Sequence, residues 1–166
     1  ELYIEVIEKL KHFRPNIKIS SDFIVGFPGE TDADFQQTMA LIEEVKFDAS
    51  FSFIYSARPG TPASKLDDAT PLAEKKERLN ILQNRIDELQ TFYSDALAGT
   101  IQRCLVTGIS KKNIKQLQAR TECNRVVNFD FQNINILGKL VDINITKAYQ
   151  RSLVGKILNS EELQSA

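Results

Sequence analysis

The sequence predicts two folds in series: an α/β unit with parallel strands, then a small antiparallel all-β barrel of the OB kind. Three observations carry this. Residues 1–97 run helix, strand, helix, strand, helix, an order that implies parallel pairing. After Gly99 the chain changes to five short β-type runs, divided by loops rich in Ser, Lys, Asn and Gly. Charge changes at the same place. Residues 1–97 hold 11 Lys and Arg against 17 Asp and Glu, whereas residues 98–158 hold 10 against 3, a net of +7 within a chain of formal charge -1.

Taken in order, residues 2–13 place Leu2, Val6, Ile7, Leu10 and Phe13 at helical spacing, and Pro15 ends that helix. Ile17, Ile19, Phe23, Ile24 and Val25 form an apolar run that reads as a buried strand over 17–25. Pro28-Gly29 turns the chain, and Thr31 with Asp34 reads as a capping box opening a helix over 32–46, with Phe35, Met39, Ile42 and Val45 on one stripe. Ala49 to Ser56 alternates large and small residues, as a strand does. Thr70-Pro71 starts a long helix to about residue 97, whose core stripe is Leu79, Leu82, Ile86, Leu89, Tyr93 and Leu97, and Gly99 stops it. Barrel strands are expected at 101–107, 115–120, 125–129, 139–146 and 151–158.

Both strands of the α/β unit end in Gly/Pro turns, Gly26 to Thr31 and Ala57 to Pro62, and the carboxyl ends of parallel strands are where ligands bind. The first turn is no phosphate-binding P-loop, since Glu30-Thr31 stands where that motif needs Lys-Ser or Lys-Thr. The second carries Ser56 and Arg58. Arg58 suits a carboxylate or phosphate in bidentate fashion, and equally a neighbouring acid. Two strands cannot close a parallel barrel, so this unit reads as the last two βα units of something larger, continuous with polypeptide upstream of Glu1. Its sheet edge and apolar helix faces are then expected to be uncovered by this chain alone.

Other chemistries are disfavoured. Cys104 reads as a core thiol and Cys123 as a loop thiol, unspaced for a chelate, and His12 stands alone, so no metal site is expected. No Ser/His/Asp set exists, so no catalytic residue is assigned in this segment. Two cysteines make no disulfide framework, which points to a reducing cytoplasm. No apolar run approaches the ~20 residues that span a bilayer.

The cationic module points to a polyanion, nucleic acid first. Lys111, Lys112, Arg120, Arg125, Lys147, Arg151 and Lys156 are the candidate cations, Phe129 and Phe131 the candidate stacking rings, and Asn124 and Asn128 the candidates for reading base edges.

Three motifs together carry a family resemblance: Ser21 to Thr31, Phe51 to Ala63, and Gln118-Ala119-Arg120-Thr121-Glu122-Cys123-Asn124-Arg125-Val126-Val127-Asn128-Phe129. Over residues 1 to about 158 the chain resembles the C-terminal part of the MiaB-type tRNA methylthiotransferases, which are radical S-adenosyl-L-methionine (SAM) enzymes. The resemblance implies that residues 1–97 are the end of a partial TIM-like radical-SAM barrel, residues 98–159 a TRAM RNA-binding barrel, and residues 160–166 a tail. It implies tRNA as partner and methylthiolation at C2 of an isopentenyl-modified adenosine beside the anticodon, using SAM and two iron–sulfur clusters. The cluster cysteines of that family lie upstream of Glu1, so this segment alone is expected to bind no cluster and to be inactive. Asp22, Gly26, Phe27, Ser56 and Arg58 would face the SAM pocket. Asp22 stands where the family pattern has Gly, and Glu30 comes one residue late, which favours backbone at Gly26 and Phe27 over Glu30 as the contact. The competing reading is a stand-alone RNA-binding module whose α/β part is only a scaffold.

Overall fold

The computed structural model describes residues 2–130 and 134–158. The chain divides into two compact units, Glu1–Gln90 and Thr91–Ala166.

The first unit contains α1 (Leu2–Phe13), β1 (Ser20–Val25), α2 (Asp32–Val45), β2 (Ala49–Ile54) and most of α3 (Leu72–Asp95). β1 and β2 pair in parallel, from Ser20 opposite Ala49 to Val25 opposite Ile54. The strand starts three residues later than the apolar run suggested. The capping box is present: the Asp34 amide donates to Thr31 Oγ1 at 3.2 Å, and the Thr31 amide donates to Asp34 Oδ2 at 2.9 Å. The Thr31 hydroxyl, donating to Asp34 Oδ2 at 2.7 Å, and then the Thr31 amide hold the Asp34 carboxyl below its ordinary range. The other end of α2 has no glycine: Lys46 itself takes the left-handed conformation, φ 57°, and its N–H donates to the Ile42 carbonyl.

Pleating gives the small sheet two unlike faces. Phe23 and Val25 are buried with Phe35, Ile42, Val45, Phe47, Leu82, Ile86 and Leu89. On the opposite face Asp22 lies in register with Phe51, and Ile24 with Phe53, and all four are exposed. Phe51 keeps 69% of its surface exposed and Phe53 56%. α1 buries only Ile7, leaving Leu2 and Phe13 open.

The second unit holds the last turn of α3 and five strands: β3 (Ile101–Ile109), β4 (Gln116–Thr121), β5 (Val126–Asp130), β6 (Leu140–Tyr149) and β7 (Ser152–Ile157). They close in the order β3-β4-β5-β7-β6, with β6 returning to β3. The barrel is not wholly antiparallel, because β5 and β7 run parallel. The reason is arithmetic: an odd number of strands cannot alternate direction around a closed ring, so one neighbouring pair must run the same way. Inward residues Cys104, Val106, Leu117, Ala119, Val127, Phe129, Ile143, Ile145 and Leu153 fill the interior, with Leu97 packed against them.

Candidate nucleic-acid interface and cofactor turn

At the carboxyl ends of β1 and β2 the two turns lie side by side, as parallel pairing requires. The Tyr55 amide donates to the Val25 carbonyl at 2.9 Å, and the Phe27 and Tyr55 rings meet edge-on at 5.0 Å. Gly26 is buried at φ 67°, a conformation glycine adopts without strain. Glu30 organises this turn. Its Oε2 accepts from the Gly26 amide at 2.6 Å and from the Phe27 amide at 3.2 Å. Its Oε1 accepts from Arg78 at 3.1 Å.

Arg78 and Lys75 come from α3 and were not apparent in the sequence as part of this site. Arg78 is 5% exposed, and it also pairs with Asp32 at 2.7 Å and Glu74 at 2.5 Å. Burial opposes its charge. The hydrogen bond to Asp32 and the charges of Glu30 and Glu74 more than offset this, so the guanidinium is held above its ordinary value. Its Nε has no hydrogen-bond partner among the described residues, and the guanidinium lies 5.8 Å from the Phe35 ring centre. The Lys75 stem covers Gly26 so closely that a Cβ there would fall 2.5 Å from Lys75 Cγ, and the ammonium pairs with Asp68. Lys75, Arg78, Leu82, Ile86 and Leu89 share one buried stripe of α3, so the two cations are in phase with the leucines.

The expected cofactor residues therefore divide. Gly26 and Phe27 are brought together with Ser56 and Arg58 at one sheet end, where Ser56 and Arg58 are exposed. The Gly26 and Phe27 amides, expected as the backbone contact, are occupied by Glu30, and the Phe27 ring is half-open. Asp22 sits four residues back, on the open sheet face opposite Phe51.

The barrel's exposed candidate cations, Lys156 apart, gather at its two ends rather than on one face. β3 ends and β4 begins at one barrel end, so the intervening loop puts exposed Lys111 and Lys112 there. At the other end β4 and β6 finish and β5 and β7 begin, placing Arg120, Asn124, Lys147 and Arg151 near one another's turns. Lys156 is exposed on β7, in register with Asn144. Arg120 is exposed, and its Nη1 donates to both the carbonyl and the Oδ1 of Asn124, each at 2.9 Å. Asn124, at φ 65°, thereby orients an arginine, and its carboxamide oxygen is already engaged. Lys147 Nζ lies 4.8 Å from the Tyr149 ring centre.

Three expectations fail on burial. Arg125 is only 8% exposed: its Nε donates to Ser94 Oγ at 3.0 Å and its Nη1 to Cys123 Sγ at 3.3 Å, which ties the last turn of α3 to the barrel end. It is an internal brace and not a surface contact. Phe129 is fully buried in the barrel core, so it cannot stack on a base. Asn128 is buried, with its Oδ1 accepting from Ser110 Oγ at 2.8 Å, and reads no base edge. Phe131 lies outside the described residues. The missed residue is Arg103, exposed on β3, whose strand neighbours gave no signal for it.

The thiols differ as sharply as their positions. Burial pushes Cys104 up to about 12, whereas Cys123 is only partly buried and meets Thr121 Oγ1 at 3.1 Å. Thiolate is the reactive form. Iodoacetamide at pH 8 should therefore label Cys123 in the native protein and Cys104 only after denaturation. Peptide mass spectrometry checks this, and rapid native labelling of Cys104 would contradict the buried assignment.

Residues 95–158 match the TRAM domain family. The chain is 58% identical over 159 residues to a tRNA-2-methylthio-N(6)-dimethylallyladenosine synthase of Erwinia tasmaniensis, covering 96% of the chain and 33% of that protein. It is 57% identical over 160 residues to the protein of that name from Histophilus somni, covering 96% of the chain and 34% of that protein. A third, from Legionella pneumophila, is 55% identical over 155 residues, covering 93% of the chain and 34% of that protein. The chain thus spans about one third of the length of these curated relatives. It is homologous to them through both units, and its second unit contains a TRAM domain.

Proposed function

We propose that this chain is the C-terminal portion of a radical-SAM tRNA methylthiotransferase that adds a 2-methylthio group to dimethylallyl-modified adenosine beside the anticodon. The observation that carries this reading is the similarity to the synthases over 93–96% of the chain, which runs through the α/β unit as well as the barrel. An RNA-binding barrel on an unrelated scaffold would not require the first unit to match. The second unit supplies tRNA binding, through Arg120, Lys147 and Arg151 at one barrel end and Lys111 and Lys112 at the other. The first unit is the end of a (β/α) barrel. Its open sheet face of Ile24, Phe51 and Phe53 supports this, since upstream polypeptide would cover such a face.

In the whole protein SAM would lie against Phe27, with Gly26, Ser56 and Arg58 around it. The half-open Phe27 ring suits the face of an adenine, and the Tyr55 hydroxyl, buried without a hydrogen-bond partner among the described residues, suits a site awaiting further groups. The residues present do not fit an iron–sulfur cluster. Cys104 is walled into the barrel core, and one remaining thiol cannot replace the cysteine set such clusters need. Cluster and radical chemistry therefore belong to upstream sequence, and the cytoplasm is the compartment that suits a tRNA substrate. Among the described residues no helix is long and apolar enough to cross a membrane.

Two measurements test this. Fluorescence anisotropy with tRNA should show affinity falling by a factor on the order of ten or more between 50 and 200 mM salt, as phosphate contacts release counterions. Mass spectrometry of tRNA nucleosides should find methylthiolation with the polypeptide extended upstream and none with this chain alone. Salt-independent binding, or no methylthiolation by the extended protein, would refute the reading.

A further inference from the structure

The outer face of the barrel carries a groove of about 360 Å³, lined by Arg103, Leu105, Arg120, Thr121, Glu122 and Leu140. Strand register explains why they meet. Leu105 stands opposite Arg120 on one side and Leu140 on the other, and Arg103 pairs in register with Asp142. The floor is apolar and open, with Leu105 44% and Leu140 58% exposed. Two guanidiniums flank it. Among the described residues Arg120 is oriented by Asn124 through Nη1 alone, which leaves its other nitrogens to a ligand.

We infer that this groove is a single-nucleotide subsite for an unpaired residue of RNA. The inference rests on the reading that the barrel binds tRNA. The lining is chemically mixed, and the mixture selects the ligand. A bare phosphate needs cations and no leucines. A hydrophobic peptide needs leucines and no arginines. A nucleotide needs both: the base face lies on Leu105 and Leu140, and the phosphate meets Arg103 and Arg120. Asp142 and Glu122 keep the groove from being a general anion trap, so shape and stacking contribute alongside charge. The subsite also separates the barrel end bearing Arg120 from the Lys111–Lys112 loop, which then acts as a non-specific phosphate contact.

The test uses the chain itself with two probes: unfractionated bacterial tRNA and a 5′-labelled single-stranded ribo-octamer. The variants are Arg103→Ala, Leu140→Ala and the Lys111→Ala/Lys112→Ala pair, all at exposed positions where the fold should persist. Arg103→Ala should weaken octamer binding about 5- to 100-fold and lower the log–log salt slope by about one. Leu140→Ala should weaken it about 3- to 10-fold with the slope unchanged, a result that pure electrostatics does not predict. The lysine pair should lower the slope for tRNA and leave octamer binding within about threefold. If both groove variants bind the octamer within twofold of wild type while the lysine pair abolishes binding, the subsite is refuted and tRNA binding is retained. If the unaltered chain binds neither RNA, the parent reading falls and the subsite falls with it.

Discussion

Arg78→Met should destabilise the first unit by about 3–5 kcal/mol, the cost of removing one partner from a buried ion pair. The cost is local to Glu30. Asp32 and Glu74 keep 90% and 43% of their side-chain surface exposed, so losing their partner matters little. The Glu30 side chain is only 12% exposed, and without Arg78 its charge is left with two backbone amides. Those amides make the outcome near the lower bound. Urea denaturation gives the size. A double-mutant cycle with Glu30→Gln isolates the pair, and the combined loss should be smaller than the sum of the single losses. Amide exchange gives a second readout: Gly26 and Phe27 should exchange faster in Arg78→Met, because the carboxylate that accepts from them is no longer anchored. A loss below 1 kcal/mol, or unchanged exchange at those two amides, would mean that Arg78 does not hold the turn.

Gly155→Ala should destabilise the barrel by about 1–3 kcal/mol, the range for forced overpacking. The obstacle is space and not backbone conformation. A Cβ on Gly155 would lie 2.4 Å from Ile143 Cγ2 and 2.7 Å from the Asn144 carbonyl oxygen. The first contact can be relieved by trimming a side chain, and the second cannot, because the oxygen belongs to β6 where β7 pairs with it. Measured in an Ile143→Ala background, where Cγ2 is gone, Gly155→Ala should therefore still cost part of that loss. A cost near zero in the Ile143→Ala background would show that the backbone contact is tolerated, and a loss under about 0.5 kcal/mol in the wild-type background would show that the strands can simply part.

Much of this architecture is readable locally. Helices and strands announce themselves by period, and the Thr31–Asp34 cap and the five barrel strands lie close to where spacing and punctuation put them. Other features escape such reading. Lys46 closes α2 in a left-handed conformation that a glycine would have advertised. Lys75 and Arg78 look like ordinary charged positions until their phase with Leu82, Ile86 and Leu89 is noticed, and that phase becomes decisive only when Glu30 is packed opposite. In the barrel, composition identifies a cationic module but not which members face out. Arg125, Asn128 and Phe129 point into packed surroundings, while Arg103, unremarkable in sequence, lies beside Arg120.

The sequence by itself determined the order and type of the elements, the division between an acidic α/β unit and a basic β unit, and the resemblance that three motifs carry. These depend on short-range periodicity, caps and charge, which neighbouring residues settle among themselves. Tertiary structure alone decided which cations are braces and which are surface, how Glu30 is shared between a turn and Arg78, and that one strand pair must be parallel. Those outcomes depend on residues tens of positions apart competing for the same volume, and on ring closure, which no local window of sequence contains.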